Sequence, residues 1–166
     1  MYEVGEQIVY GCQGVYEVND ITHLDIGQED RLYYVLTPVT SGTDKIYTPV
    51  DNKRIATRRI LTKESAKAII DKIPEIAELT VSNERQREQT YKDALKSADL
   101  SNWFSVIKTI YIRQKKRLEQ GKKITALDER YLRNAENEAY NELSLVFGIP
   151  KDEIISTITS RLESAC

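Results

Sequence analysis

Over the first 60 residues, short apolar runs are separated by residues that favour turns. Five strands are predicted, at residues 8–10, 15–21, 32–36, 45–48 and 54–57. The intervening turns are predicted at 11–14, 27–30, 41–44 and 51–52, where Gly, Asp, Asn and Ser are frequent. Five short antiparallel strands in so few residues are typical of a small barrel of the Tudor or SH3 type.

From residue 61 onward the apolar positions recur every three or four residues, which predicts helices. The expected start residues are Thr62, Ser82, Asp99, Thr125 and Pro150. Ile73-Pro74 ends the first helix, and Gly121 and Gly148 end the third and fourth. The third helix has an apolar stripe that includes Trp103 and ends at Leu118, so Trp103 is predicted to pack in a core.

The sequence therefore predicts an α+β fold, with a Tudor/SH3-like β-barrel at residues 1–60 and an all-α helical domain at 61–166. No apolar run is long enough to span a membrane, and the first 20 residues lack the basic start of a signal peptide. The two cysteines, Cys12 and Cys166, do not make a disulfide framework. We expect a cytoplasmic protein with no membrane partner.

Charge is unevenly distributed along the chain. Residues 83–123 hold eleven basic and five acidic residues, although the net charge of the chain is −2. A basic segment in an acidic protein indicates a surface for polyanions, whereas the simpler interpretation is a pair of solvated helices. The candidate DNA-binding residues are Arg85, Arg87, Lys92 and Lys96, followed by Lys115, Lys116, Arg130 and Arg133. Residues 1–60 hold six basic and nine acidic residues, which favours a protein partner for the barrel.

The residues needed for catalysis are scarce. His23 is the single histidine, and Cys12 has no base close to it in the sequence. No Cys/His spacing typical of a metal site occurs, and the 11–14 segment lacks the Lys-Ser/Thr of a phosphate-binding loop. We therefore expect no enzymatic activity, no metal, no cofactor and no small-molecule substrate.

Three groups of residues carry a family resemblance. They are residues 4–18 (VGEQIVYGCQGVYEV), the pair of segments 33–36 and 46–49, and the segments 91–96 and 124–132. Together these segments resemble the CarD family of bacterial transcription regulators. Each motif is short, but their order and spacing cover essentially the whole chain.

The resemblance implies a Tudor-like domain that binds the β subunit of RNA polymerase. It also implies a helical domain that contacts promoter DNA near the upstream edge of the melted region and modulates the stability of the open complex. The implied polymerase-binding residues are Tyr47, Pro49, Leu24 and Tyr34. The chain departs from the best-known members in two respects. Tyr47 and the segment around His23 and Leu24 lack the family's arginines, and Arg87 stands where those members have a DNA-wedging tryptophan.

Two alternatives remain open from the sequence. The chain could be a protein–protein adaptor whose barrel binds a different partner, or an enzyme whose site has no recognisable motif. Salt-sensitive DNA binding would separate the adaptor from the regulator, and a strongly perturbed titrating group in a cleft would favour the enzyme. For the regulator we expect weak, non-sequence-specific binding to free DNA, strengthened by attachment to polymerase.

Overall fold

The computed structural model describes residues 1–27, 29–40 and 42–165. The chain divides into two compact units, Met1–Ile60 and Leu61–Cys166. The first unit is a β-sheet and the second is helical, which confirms the predicted α+β fold class. Within the predicted turns, Gln28 and Ser41 lie outside the described residues, as does Cys166.

The first unit is a five-stranded antiparallel sheet. Its strands are β1 (Gln7–Tyr10), β2 (Val15–Ile26), β3 (Glu29–Pro38), β4 (Ile46–Pro49) and β5 (Thr57–Arg59). They are hydrogen-bonded in the order β4-β3-β2-β1-β5, which makes β4 and β5 the edge strands. One face buries a core of alternating apolar residues: Ile8, Tyr10, Tyr16, Val18, Tyr34 and Leu36.

The predicted bounds of three strands differ from the structure by more than one residue. The strands β2 and β3 extend well beyond the predicted segments and pair as one long hairpin, and a bulge between Val18 and Asp20 shifts their register. The extra residue accounts for the imperfect alternation of apolar and polar residues over 15–21. The fifth strand begins at Thr57, where it pairs with Tyr10, instead of at residue 54. Its start is delayed because the Asn52 side chain accepts a hydrogen bond from the Arg54 backbone N–H and holds a turn there.

The second unit contains five α-helices and one short 3₁₀ turn. They are α1 (Lys63–Asp71), the 3₁₀ turn (Ile73–Glu75), α2 (Glu84–Lys96), α3 (Leu100–Glu119), α4 (Ala126–Phe147) and α5 (Lys151–Ala165). Thr62, Asp99 and Thr125 each accept a backbone hydrogen bond as N-caps, as predicted. The predicted start at Ser82 is wrong by one residue, because the neighbouring Asn83 side chain caps α2 instead.

The core of the helical unit contains Trp103, which is fully buried and donates its indole N–H to the Leu95 carbonyl at 3.1 Å. The prediction that Trp103 is a packing residue is therefore confirmed. Leu118, assigned to the same stripe, is 58% exposed. Full burial on α3 ends at Ile110, so the apolar pattern continues beyond the core that it was expected to fill.

Candidate functional site

The strand register separates the candidate polymerase-binding residues onto two faces of the sheet. Directly opposed residues in antiparallel strands point to the same side, and neighbours along one strand point to opposite sides. Tyr34 belongs to the core face, whereas Leu24, Tyr47 and Pro49 occupy alternate positions whose side chains point away from the core. We call this second side of the sheet the outer face. Tyr47 is 51% exposed on it, in the edge strand β4.

Tyr34 has a structural position in the sheet. Only 4% of it is exposed, and its hydroxyl accepts a hydrogen bond from the Tyr2 backbone N–H at 2.9 Å. The rings of Tyr2 and Tyr34 also pack with their centroids 5.6 Å apart. Tyr34 therefore has almost no surface for a partner, in contrast to its assignment as a binding residue, because the register turns it toward the core.

The outer face carries two further residues that were missed from the sequence, Arg31 and Tyr33. Arg31 lies opposite Leu24 in the hairpin, and its Nη2 is 3.1 Å from Asp51 Oδ2. Arg31 and Pro49 line an open hollow of about 580 Å³ whose other walls are residues 51–54. The alternation of side chains along β3 could have indicated these two residues from the sequence, because Arg31 and Tyr33 are two residues apart and therefore share a face.

Three of the candidate DNA-binding residues lie along one side of α2. Arg85, Lys92 and Lys96 are spaced by seven and four residues, which places them on one helical face, and all three are exposed. These three residues form a line of exposed positive charge along α2. Arg130 and Arg133 project from α4, with side chains that are 59% and 71% exposed.

One carboxylate oxygen joins the basic sides of α2 and α4. Glu88 Oε1 is 2.7 Å from Arg130 Nη2 and 3.5 Å from Lys92 Nζ, and it accepts a hydrogen bond from the Tyr131 hydroxyl at 2.8 Å. We call these four residues the Glu88 cluster. Because of this shared contact, Lys92 and Arg130, which are far apart in sequence, belong to one surface. Glu88 and Tyr131 were missed from the sequence, although Glu88 lies one helical turn before Lys92.

Other cations of the 83–123 segment point inward. Lys108 is 6% exposed, and its Nζ donates to the carbonyl oxygens of Ile73, Pro74 and Ile76 at 3.2, 2.7 and 2.8 Å. The side chains of Arg87 and Arg113 are only 11% and 22% exposed. Net charge along the sequence therefore overestimates the positive charge at the surface.

Arg87 belongs to a closed ring of side chains that connects α2, α3 and α4. Arg87 Nη2 lies 2.8 Å from Glu84 Oε1, and Arg87 Nη1 donates to the Tyr91 hydroxyl at 3.1 Å. Tyr91 in turn donates to Asp128 Oδ1 at 2.8 Å. Arg113 closes the ring, with Nη1 3.1 Å from Glu84 Oε1 and Nε 2.8 Å from Asp128 Oδ2, the latter an ion pair without hydrogen-bond alignment. Arg87 therefore takes part in a network that joins three helices. Its guanidinium contacts Glu84 and Tyr91 within the protein, in contrast to the prediction that it binds DNA.

Ionisation within this ring follows from its contacts. Hydrogen bonds from Arg87 and then Arg113 lower the pKa of Glu84 from an ordinary 4.5 to about 2. Burial raises the pKa of Tyr91 to about 12, so its hydroxyl keeps the proton that it donates to Asp128. At neutral pH the negative Glu84 therefore pairs with both arginines of the ring, and the neutral Tyr91 hydroxyl donates its proton to a hydrogen bond with Asp128.

The remaining candidates lie elsewhere on the helical unit. Lys115 and Lys116 are exposed on α3, with Lys115 Nζ 5.8 Å from the centre of the Tyr111 ring. Lys116 lines a hollow together with Arg87 and Arg113. Arg133 pairs with Glu129 at 3.5 Å one turn earlier in α4. No measured contact joins these three lysine and arginine residues to the Glu88 cluster within the described part of the chain.

The described residues contain no group of three or more His, Cys, Asp or Glu side chains arranged to hold a metal ion. Among the helices of the described ranges, none is long and apolar enough to cross a membrane. His23 is exposed, with Nδ1 3.1 Å from Asp30 Oδ1. The described residues form two candidate binding surfaces, an outer sheet face with exposed aromatic and basic residues and a basic side of two helices, as expected of a two-module binding protein.

Family models give this class a more specific identity. Residues 2–61 match the CarD-like/TRCF RID domain, and residues 68–159 match the CarD C-terminal domain. The chain belongs to the CarD family, whose RNA polymerase-interacting first domain is Tudor-like and whose second domain is helical. It is therefore a transcription regulator of a non-enzymatic, RNA polymerase-interacting family. No curated protein matches the chain significantly.

Proposed function

We propose that this protein binds the β subunit of RNA polymerase through the outer face of its sheet and promoter DNA near the upstream bubble edge through α2 and α4. In doing so it modulates the stability of the open complex, in the cytoplasm where polymerase works. The observation that carries the DNA-binding part of this proposal is the line of exposed cations Arg85, Lys92 and Lys96, which Arg130 extends onto a second helix. Such contacts hold phosphates and carry no sequence information of their own.

For polymerase we propose Leu24, Tyr47 and Pro49 as contacts, with Arg31 as the cation of this surface. Arg31 is the cross-strand partner of Leu24, so it supplies a guanidinium beside the position where family members carry an arginine. Tyr47 replaces the family's other arginine with an exposed aromatic ring, a residue type enriched at the centres of interfaces. Tyr34 supports this surface from the core side.

DNA binding by α2 is tested with the triple variant Arg85→Ala, Lys92→Ala, Lys96→Ala in the full chain. We expect affinity for a short fluorescent duplex at low ionic strength to fall roughly tenfold or more, with a shallower dependence on salt, because phosphate contacts are lost. The matched control replaces three exposed lysines of the α1 region, Lys63, Lys67 and Lys72, by alanine and changes the net charge equally. Equal losses in both variants, or no salt-sensitive binding by the wild-type chain, would favour the adaptor interpretation.

The polymerase surface is tested with Tyr47→Ala in the full chain. We expect binding to the purified β-subunit lobe, followed by co-elution and by titration, to weaken by about tenfold or more, as for an aromatic anchor. Val4→Ala is the control, because Val4 is also an exposed apolar residue of this unit (60%) but precedes the strands. Unchanged binding of Tyr47→Ala would exclude this strand from the contact.

A further inference from the structure

The Glu88 cluster has the geometry of an occupied anion site. A guanidinium, an ammonium and a phenolic hydroxyl, from Arg130, Lys92 and Tyr131, converge on the single oxygen Glu88 Oε1. Surface ion pairs usually join two groups, whereas three donors around one oxygen are the arrangement that binds an oxyanion such as phosphate.

Two of the three donors are held in place independently of Glu88. The Tyr131 ring is 5% exposed and packs against the Tyr91 ring, with their centroids 5.6 Å apart. The Arg130 guanidinium lies over the Tyr131 ring, 5.0 Å from its centre. Preorganised donors lose little conformational freedom when an anion binds, so this part of the site does not depend on the carboxylate that fills it.

Glu88 is the component of the cluster that a rotamer change can remove. Its side chain is 41% exposed on the same helix as Lys92, so a change of rotamer moves the carboxylate into solvent without disturbing the backbone. The hydrogen bond from Tyr131, together with Lys92 and Arg130, lowers the pKa of Glu88, so the occupant is an anion at neutral pH.

We propose that Arg130, Lys92 and Tyr131 form a site for a phosphate of the nucleic-acid backbone, and that Glu88 occupies this site as an internal competitor until DNA displaces it. The inference rests on the proposed DNA-binding function and specifies one phosphate position within it. Competition by Glu88 reduces the affinity of the free protein for DNA in proportion to the fraction of molecules whose site is filled. Binding is then favoured where polymerase holds the DNA close by.

The test uses Glu88→Gln in the full chain and a short fluorescent DNA duplex at low ionic strength. We expect the dissociation constant to fall by roughly five- to tenfold, since the neutral amide of the glutamine competes weakly with phosphate for charged donors. Glu129→Gln is the matched control: it removes one negative charge from α4 and releases Arg133, but its ion pair contains no third donor. We expect this control to tighten binding by less than about twofold.

The decisive variant is Tyr131→Phe, which removes only the hydroxyl. In the Glu88→Gln background it should abolish most of the gain in affinity, because the phosphate loses its buried donor. A circular dichroism spectrum and melting temperature close to those of the wild type establish that the variant is folded. Equal gains for Glu88→Gln and Glu129→Gln, or a gain insensitive to Tyr131→Phe, would overturn the site while leaving DNA binding intact. Loss of the proposed function itself would instead appear as wild-type binding that is indifferent to salt and to the α2 triple variant.

Discussion

Replacing Asp128 by alanine is expected to lower the free energy of unfolding of the helical unit by roughly 3–5 kcal/mol, the cost of breaking a buried ion pair. Asp128 is 1% exposed and lies between Arg113 and the Tyr91 hydroxyl. Alanine would leave the Arg113 charge partly desolvated and the Tyr91 hydroxyl without its acceptor. It would also open the ring that holds α2 against α3 and α4.

Urea unfolding followed by helical circular dichroism measures this effect. Glu129→Ala is the control, because Glu129 is the next residue of α4 and forms a surface ion pair with Arg133 at 3.5 Å. We expect the control to change the free energy by less than about 1 kcal/mol. Similar values for the two variants would mean that the ring adds nothing beyond an ordinary surface ion pair.

Replacing Lys108 by methionine is expected to destabilise the same unit by roughly 3 kcal/mol, because three backbone carbonyl oxygens lose their shared donor. Methionine keeps the length and apolar character of the lysine stem, so the loss is assigned to the ammonium group. The three acceptors belong to the segment 73–76, which contains the 3₁₀ turn after α1. Lys108 thus fixes that turn against α3.

The measurement is again the free energy of unfolding, with hydrogen exchange of the Glu75 and Ile76 backbone amides, which bond within this turn, as a local readout. Lys115→Met is the matched control on the same helix, where the side chain is exposed. It should stay within about 0.5 kcal/mol of the wild type. A Lys108→Met protein as stable as the control would show that water replaces the ammonium group at no cost.

The elements that sequence predicted well are those fixed by local interactions. Thr62, Asp99 and Thr125 cap helices through hydrogen bonds within three residues, so their signal lies in the adjacent sequence. The start of α2 was displaced by one residue because Ser82 and Asn83 both have capping side chains. The fifth strand was displaced further, because its start depends on pairing with Tyr10 of the neighbouring strand β1, which is distant in sequence.

The candidate surfaces were predictable in part. Lys92 and Lys96 follow from helical spacing, and their exposure agrees with the charge pattern. The inward position of Lys108 could not be deduced, because its carbonyl partners lie outside α3 and a lysine has the same charge whether it binds a carbonyl or faces solvent. Arg87 contacts Glu84 and Tyr91 of its own helix, but their contacts with Arg113 and Asp128 depend on the packing of α3 and α4. Similarly, the proximity of Lys92 and Arg130 could be recognised only from the folded structure, in which both contact Glu88.

Trp103 has a practical consequence for experiments on this protein. It is the one tryptophan among ten tyrosines, and it is fully buried in the helical unit. Its intrinsic fluorescence is therefore a built-in optical reporter of that unit, while residues 1–60 emit only through tyrosine. Selective excitation of the indole would record melting of the helices separately from melting of the sheet. DNA bound at the exposed cations should leave this emission nearly unquenched, because the fluorophore has no contact with solvent.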